Sequence, residues 1–355
     1  MAKILIKNGR VWDGEKFFYS DVLTDGEYVS KIAPSISEDA TFVLDAENAT
    51  VSAGFVDTHT HLRGVSSSRY GTQAEMSCFP FGVTSAADGG ACNGSKELLE
   101  SFMLKAVVFI AAKIKDNKSD FSDAQRLLSL YGNKVAGIKS YFDQGVSDIR
   151  DVTPLKEICD FAHPKTLSVM VHCTDSPLAL SEILGVLKSG DILTHAFNGS
   201  VNNAEVDGFE SMLSAQKRGV FIDVGFAGNV HADFGIMKRA IEKGIIPDCI
   251  STDITRLSAF VRGGRYGMTE CMSISKALGM TESDIFRAVT SNPAKALRKD
   301  SEWGYLKEGR KADVTVIKED AEAFSLTDKN QNTVSGEKSY RCKLTVSNGQ
   351  IVYKD

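Results

Sequence analysis

The chain of 355 residues is 43% apolar and 25% charged, and its 41 basic and 46 acidic side chains leave a formal charge of −5. That balance excludes a disordered, collagen-like or coiled-coil chain, and the mild acidity offers no electrostatic footprint for nucleic acid or an anionic membrane. The most apolar run, Ala106 to Ala112, is far shorter than the roughly 20 residues of a spanning helix. Seven scattered cysteines without a CxxC pair fit a reducing, cytoplasmic setting, as does an N-terminus in which Lys3 precedes a short strand-like run that soon turns polar.

The first fifty residues read as short strands, Lys3 to Lys7, Val11, Tyr28 to Ile32 and Thr41 to Leu44, broken by the turn pairs Asn8-Gly9, Asp13-Gly14 and Asp25-Gly26. The last fifty repeat the pattern with Ala312 to Ile317, Lys343 to Val346 and Gln350 to Tyr353. Between them, short apolar runs alternate with amphipathic helical segments, as in repeated βα units. Eight runs are expected: Phe55 to His59, Gly82 to Ala87, Ala106 to Ala112, Val135 to Ser140, Leu167 to His172, Asp191 to His195, Val220 to Val224 and Cys249 to Asp253. Eight parallel strands over about 250 residues suit a closed (β/α)8 barrel, an open doubly wound sheet being the alternative. The third run can also be read as part of one buried helix, Phe102 to Ile114. Asp151-Val152-Thr153-Pro154 and Asn292-Pro293 look like helix starts. The expected division is a composite β-sandwich from residues 1–53 and 308–355 around a barrel of residues 54–307.

Polar residues fall at the strand ends, where barrels build their sites. His59 and His61 end the first strand, Lys139 the fourth, His172 the fifth, His195 the sixth and Asp253 the eighth. Strand alternation sends Asp57, His59 and His61 to one face, so both imidazoles can reach one ion. Four of the six histidines at one rim, with an aspartate, point to metal binding. Lys139 as an ammonium cannot ligate a cation and is costly to bury. It is either a paired or snorkelling cation or, after reaction with carbon dioxide, an anionic carbamate able to bridge two metals.

Gly54-Phe55-Val56-Asp57-Thr58-His59-Thr60-His61, Gly137-Ile138-Lys139, Val171-His172, Leu193-Thr194-His195-Ala196-Phe197-Asn198-Gly199 and Ser251-Thr252-Asp253 together resemble the amidohydrolase superfamily in its dihydroorotase and hydantoinase branch, most closely its deacetylase-like group. The likeness spans almost the whole chain, including the closing Gly309-Arg310-Lys311-Ala312-Asp313-Val314. It implies a binuclear site, most often zinc, with His59, His61 and Asp253 on one ion, His172 and His195 on the other, and carbamylated Lys139 between them. Asp253 would shuttle a proton as an amide of a small substrate is hydrolysed. Ester hydrolysis, purine deamination and a non-catalytic scaffold are the alternatives. Asp57 either orients a ligand histidine or packs below the metals.

Substrate contacts are expected from the loops after the strands. Candidates are Asn93 in the Asp88 to Gly94 loop, Tyr141, Asn198, His231, and Arg256 and Arg262 in a segment after the eighth strand that also carries Arg265. Guanidinium groups there suit a carboxylate-bearing substrate. The chain departs from the group in having Tyr141 where an Arg is common two positions after the Lys, and Phe226 where a His often follows Asp-Val-Gly. His231 substitutes for that His or lies on the surface. His163 is expected at the opposite rim without chemistry, and Cys173 in the core. A small-molecule substrate and a homo-oligomer are the expected partners.

Overall fold

The computed structural model describes residues 2–261 and 267–355. Arg262 and Arg265 therefore lie outside the described residues. The expected small β-domain drawn from both chain ends is one eight-stranded, mostly antiparallel sheet. Its order is Gln350–Lys354, Ser339–Ser347, Val314–Asp320, Thr50–Ala53, Lys3–Trp12, Phe17–Asp25 and Tyr28–Ala33, with Phe42–Asp45 alongside the start of Lys3–Trp12. Pairing of Thr50–Ala53 with Val314–Asp320 joins the two ends of the chain. Ile4, Ile6, Val11, Val22, Val51, Val314, Val316, Leu344 and Val346 form its apolar core. Phe17–Asp25 was not expected as a strand because Ser20, Asp21 and Thr24 interrupt its apolar pattern. All three are buried, and Asp21 accepts bonds from the backbone N–H groups of Asn8 and Ile36.

Trp12 fastens this sheet to the barrel. It is fully buried, its indole N–H donates to Thr290 Oγ1 at 3.0 Å, and its ring lies 4.7 Å from that of Phe17 and 6.2 Å from that of Phe286. Trp12→Ala is expected to cost about 3–5 kcal/mol of stability, as other large aromatic truncations do. A urea titration checks this; a loss below about 1 kcal/mol would show that the two parts do not depend on this contact.

The barrel strands pair in chain order and all in parallel: β1 (Phe55–Thr60), β2 (Val83–Ala91), β3 (Lys105–Ala111), β4 (Val135–Tyr141), β5 (Ser168–His172), β6 (Ile192–Thr194) and β7 (Phe221–Ile222). The third run is thus a strand and not a helix. Residues 249–254 close the ring without forming a full strand: Cys249 bridges to Asp223 and Ile254 to Thr60, both in parallel. One apolar cluster contains Val56, Ala87, Val107, Phe109, Ala136, Met170, Ile192 and Cys249, with Phe221 against it. Only the interior of a closed barrel brings residues of all eight segments together. Helix Thr153–Ala162 opens with Pro154, and Asp151 accepts the Thr153 N–H at 2.7 Å. His163 sits at the opposite rim, paired with Asp191 at 3.1 Å. Among the described residues no cysteine forms a disulfide, and no helix is long and apolar enough to cross a membrane.

Candidate metal centre

The ends of β1, β4, β5 and β6 and the closing segment converge on Asp253. Its Oδ1 lies 3.0 Å from His61 Nε2 and 3.3 Å from His59 Nε2. Its Oδ2 lies 3.7 Å from His231 Nε2 and 3.9 Å from His195 Nε2. Lys139 Nζ is 3.1 Å from His59 Nε2 and 3.2 Å from Met170 Sδ, and the side chain is fully buried. The His172 ring stands 4.5 Å from that of His195 and 5.4 Å from that of Tyr141.

Hydrogen bonds fix the tautomers and so decide which lone pairs face inward. Thr194 donates its hydroxyl to Asp223 at 2.7 Å, so its oxygen accepts from His59 Nδ1 at 3.1 Å. Ser66 likewise donates to Asp88 at 2.9 Å and accepts from His61 Nδ1 at 2.7 Å. The Gly225 carbonyl accepts from His195 Nδ1 at 2.7 Å. These three imidazoles carry their proton on Nδ1 and present an Nε2 lone pair to the centre. His172 is reversed: Thr174 donates to Asp143 and accepts from Nε2 at 3.0 Å, which leaves Nδ1 as the available donor atom. Burial lowers the pKa values of His59, His172, His195 and His231, keeping these four imidazoles neutral, whereas at His61 the effect of burial is outweighed by Asp253, which raises its pKa. Burial alone would raise Asp253, but the facing His59 and His61 hold it below the usual carboxylate range.

His195 Nε2 and Asp253 Oδ1 are buried without a hydrogen-bond partner. Such orphans are costly, and divalent cations bound here would satisfy them. Two groups have ligand atoms within 4.8 Å of one another around this point, His59, His61, Asp253 and His195, His231, Asp253. The donor set of neutral imidazoles and a carboxylate suits zinc or a similar ion. His195 and Asp253 also hold left-handed backbone conformations, with φ of 59° and 44°. Such conformations cost about 1–3 kcal/mol each and concentrate at functional sites.

Several expectations are corrected. Strict alternation fails in β1, whose pairing with β2 shifts register between Asp57 and Thr60. Thr58 and His59 both reach the Thr194–Asp223 pair, whereas Asp57 binds Thr252 through its backbone N–H and its hydroxyl. Asp57, which also accepts the His59 N–H at 3.1 Å, is buried and ties the closing segment to the backbone of His59. Asp88, Gly89 and Gly90, expected in a flexible loop, belong to β2. A Cβ on Gly89 would lie 2.0 Å from His59 Cδ2, and one on Gly90 would lie 2.5 Å from the Tyr141 hydroxyl. Asn198 donates to the carbonyls of Cys173 and His195 and accepts from Ser200 N–H, so it shapes the loop after β6 instead of facing a substrate. Cys173 is buried in the core, as expected.

Above the histidines a cavity of about 380 Å³ is lined by Tyr70, Tyr141, Asp143, Val146, Thr174, His231, Thr255 and Ser258. Tyr141 and His231 thus face it. Asn93 and Arg256 line a separate cavity of about 650 Å³ with Arg63 and Ser66. Tyr70, Asp88, Asp143 and Asp223 were not singled out from the sequence. Each aspartate draws its importance from partners distant in the chain, which local patterning does not show.

The Gly89→Ala variant is expected to lose about 1–3 kcal/mol of stability by overpacking and to hold metal less tightly, because the methyl displaces the His59 ring. Denaturant unfolding and metal titration of the purified variant check both, and unchanged metal affinity would show that His59 adapts.

A parallel barrel with a sheet from both chain ends, carrying imidazoles and an aspartate at its C-terminal rim, defines a class of metal-dependent hydrolases. Residues 50–352 match the model of the amidohydrolase family, and the chain belongs to that family, as a hydrolase acting on carbon–nitrogen bonds. A deacetylase of Enterococcus faecalis is 28% identical, with 98% of each chain covered. Dihydroorotases of Streptococcus pyogenes are 30% identical over 49% of this chain and 43% of theirs. Among solved structures, a dihydroorotase superposes with a TM-score of 0.86 at 22% identity, and an adenine deaminase with 0.83 at 25%, each covering both chains completely.

Proposed function

We propose that this protein is a binuclear metal-dependent hydrolase of an amide bond in a small, carboxylate-bearing substrate such as an N-acyl amino acid or a cyclic amide. The observation that carries the reading is the convergence of His59, His61, His195 and His231 on one buried carboxylate, Asp253, with the His172 ring 4.5 Å from that of His195. Full-length likeness to a deacetylase and likeness to dihydroorotases support the amide bond. His59, His61 and Asp253 would hold one ion and His172 and His195 the other, with zinc the favoured metal. When bound, such ions make hydroxide available at neutral pH and polarise a carbonyl.

Lys139 suits the bridging role. Burial lowers its pKa to about 7, so a substantial fraction is the free amine at neutral pH. That amine adds to carbon dioxide, forming a C–N bond and releasing one proton to solvent, and leaves an anionic two-oxygen ligand. Asp253 takes the proton of the attacking water and delivers it to the leaving nitrogen. Tyr141, Tyr70, Thr255 and Ser258 face the substrate cavity and orient the acyl part by hydrogen bonds. The carboxylate preference rests on the sequence, which carries Arg256, Arg262 and Arg265 after the closing segment, Arg256 lining the neighbouring cavity.

The test is a hydrolysis screen of zinc- and manganese-loaded protein against N-acyl amino acids, cyclic imides and acetyl esters, with adenine included because of the full-length likeness to an adenine deaminase. Release of a carboxylate from the amides is expected. Ammonia release from adenine alone would favour deamination, and failure to take up metal even with bicarbonate would leave only a scaffold.

A further inference from the structure

His231 comes from the loop after β7, which lies outside the set of strand ends that first pointed to metal. We propose that His231 is a ligand of the second ion, and that Asp253 spans the two ions through its separate oxygens. This rests on the binuclear reading above and assigns that centre one more protein ligand.

The carboxylate is shared between two pairs of imidazoles. Oδ1 faces His61 and His59 at 3.0 and 3.3 Å, and Oδ2 faces His231 and His195 at 3.7 and 3.9 Å. Each pair with its oxygen forms a compact trio whose ligand atoms lie within 4.8 Å of one another. Metal bonds of about 2.0–2.1 Å in a tetrahedral site place ligand atoms about 3.4 Å apart, so closing the His231 trio on an ion takes an inward movement on the order of 1 Å. The His231 ring stands 4.3 Å from that of His195 and 5.4 Å from that of His172. His172 presents Nδ1, because Thr174 holds its Nε2. Three imidazoles and one carboxylate oxygen then surround the second position.

The loop is built to hold His231 there. Gly225, Ala227 and Gly228 take left-handed φ values of 58°, 50° and 63°, which turn the chain back over the rim. The His231 N–H donates to the Phe226 carbonyl at 3.2 Å and closes the turn. Phe226 and Ala227 N–H groups donate to the carbonyls of Ser251 and Thr252, so the turn is tied to the segment that carries Asp253.

The experiment loads full-length apo-protein with cobalt and measures ions per chain, the affinity for each equivalent, and the visible absorption of the bound cobalt. Wild-type protein is expected to take two ions. His231→Ala and His231→Gln are expected to keep the first, to bind the second at least about 10-fold more weakly, and to change the absorption contributed by the second equivalent. Circular dichroism and thermal unfolding of the apo-variants establish that the fold is intact, and the agreement of two variants of different size separates ligand loss from a packing defect. If both variants bind two ions with unchanged affinity and unchanged absorption, His231 is not a ligand. Wild-type protein that binds no cobalt would overturn the binuclear reading itself, and this proposal with it.

Discussion

Asp253→Asn is expected to reduce kcat by about 10²–10⁴-fold, the range in which a positioned acid or base contributes. The substitution preserves shape and burial, and the backbone at this residue is held independently of the side chain. Asp253 N–H donates to the His59 carbonyl at 2.7 Å, and the preceding Thr252 is fixed by Asp57. What changes is chemical: an amide nitrogen neither accepts the proton of the attacking water nor ligates a cation as a carboxylate oxygen does. The assay therefore needs protein whose metal content has been measured, so that loss of an ion and loss of the proton shuttle are read separately. Variant protein with a full metal complement and turnover within about threefold of wild type would show that another group carries the proton.

Lys139→Met is expected to abolish activity and to remove the effect of bicarbonate on metal binding. The methionine side chain fills a similar volume in a fully buried position next to Met170, so the core survives. The variant lacks an amine to take up carbon dioxide, so the anionic group between the two positions never forms and at least one ion is lost. Metal analysis with and without bicarbonate, together with carbon NMR of protein treated with labelled bicarbonate, gives a readout besides turnover. Wild-type protein should show a carbamate carbon that the variant lacks. A fully metallated, active variant would show that Lys139 is only a buried base near His59.

The barrel and its rim were legible because strand ends carry strong signals: period, apolar runs and rare residue types coincide at His59, His61, Lys139, His172, His195 and Asp253. The layer behind them was not. Asp223 sits at the start of the loop after β7, and nothing local distinguishes it from any other aspartate. Its importance comes from Thr58, Thr194 and Ser251, which reach it from three different strand ends. Asp88-Gly89-Gly90 reads as a loop because glycine usually marks one. Here glycine is needed in a strand that passes directly against an imidazole and a tyrosine hydroxyl. Asn198 and Arg256 were expected at the substrate by residue type, yet the loop geometry that turns one inward to backbone carbonyls and the other to a separate cavity is decided by tertiary packing.

The way the ring closes ties the fold to its chemistry. Seven strands are joined by continuous ladders, but the last join is a seam of scattered backbone bonds, from Val224, Phe226 and Ala227 on one side and from His61 and Asp253 on the other. Asp253, the carboxylate that the imidazoles face, is itself a stitch in that seam. Closing the barrel and bringing Asp253 to the histidines therefore use the same backbone bonds, and a chain without the eighth junction is expected to lack the site. Slow hydrogen exchange at the Asp253 amide would report competent molecules directly.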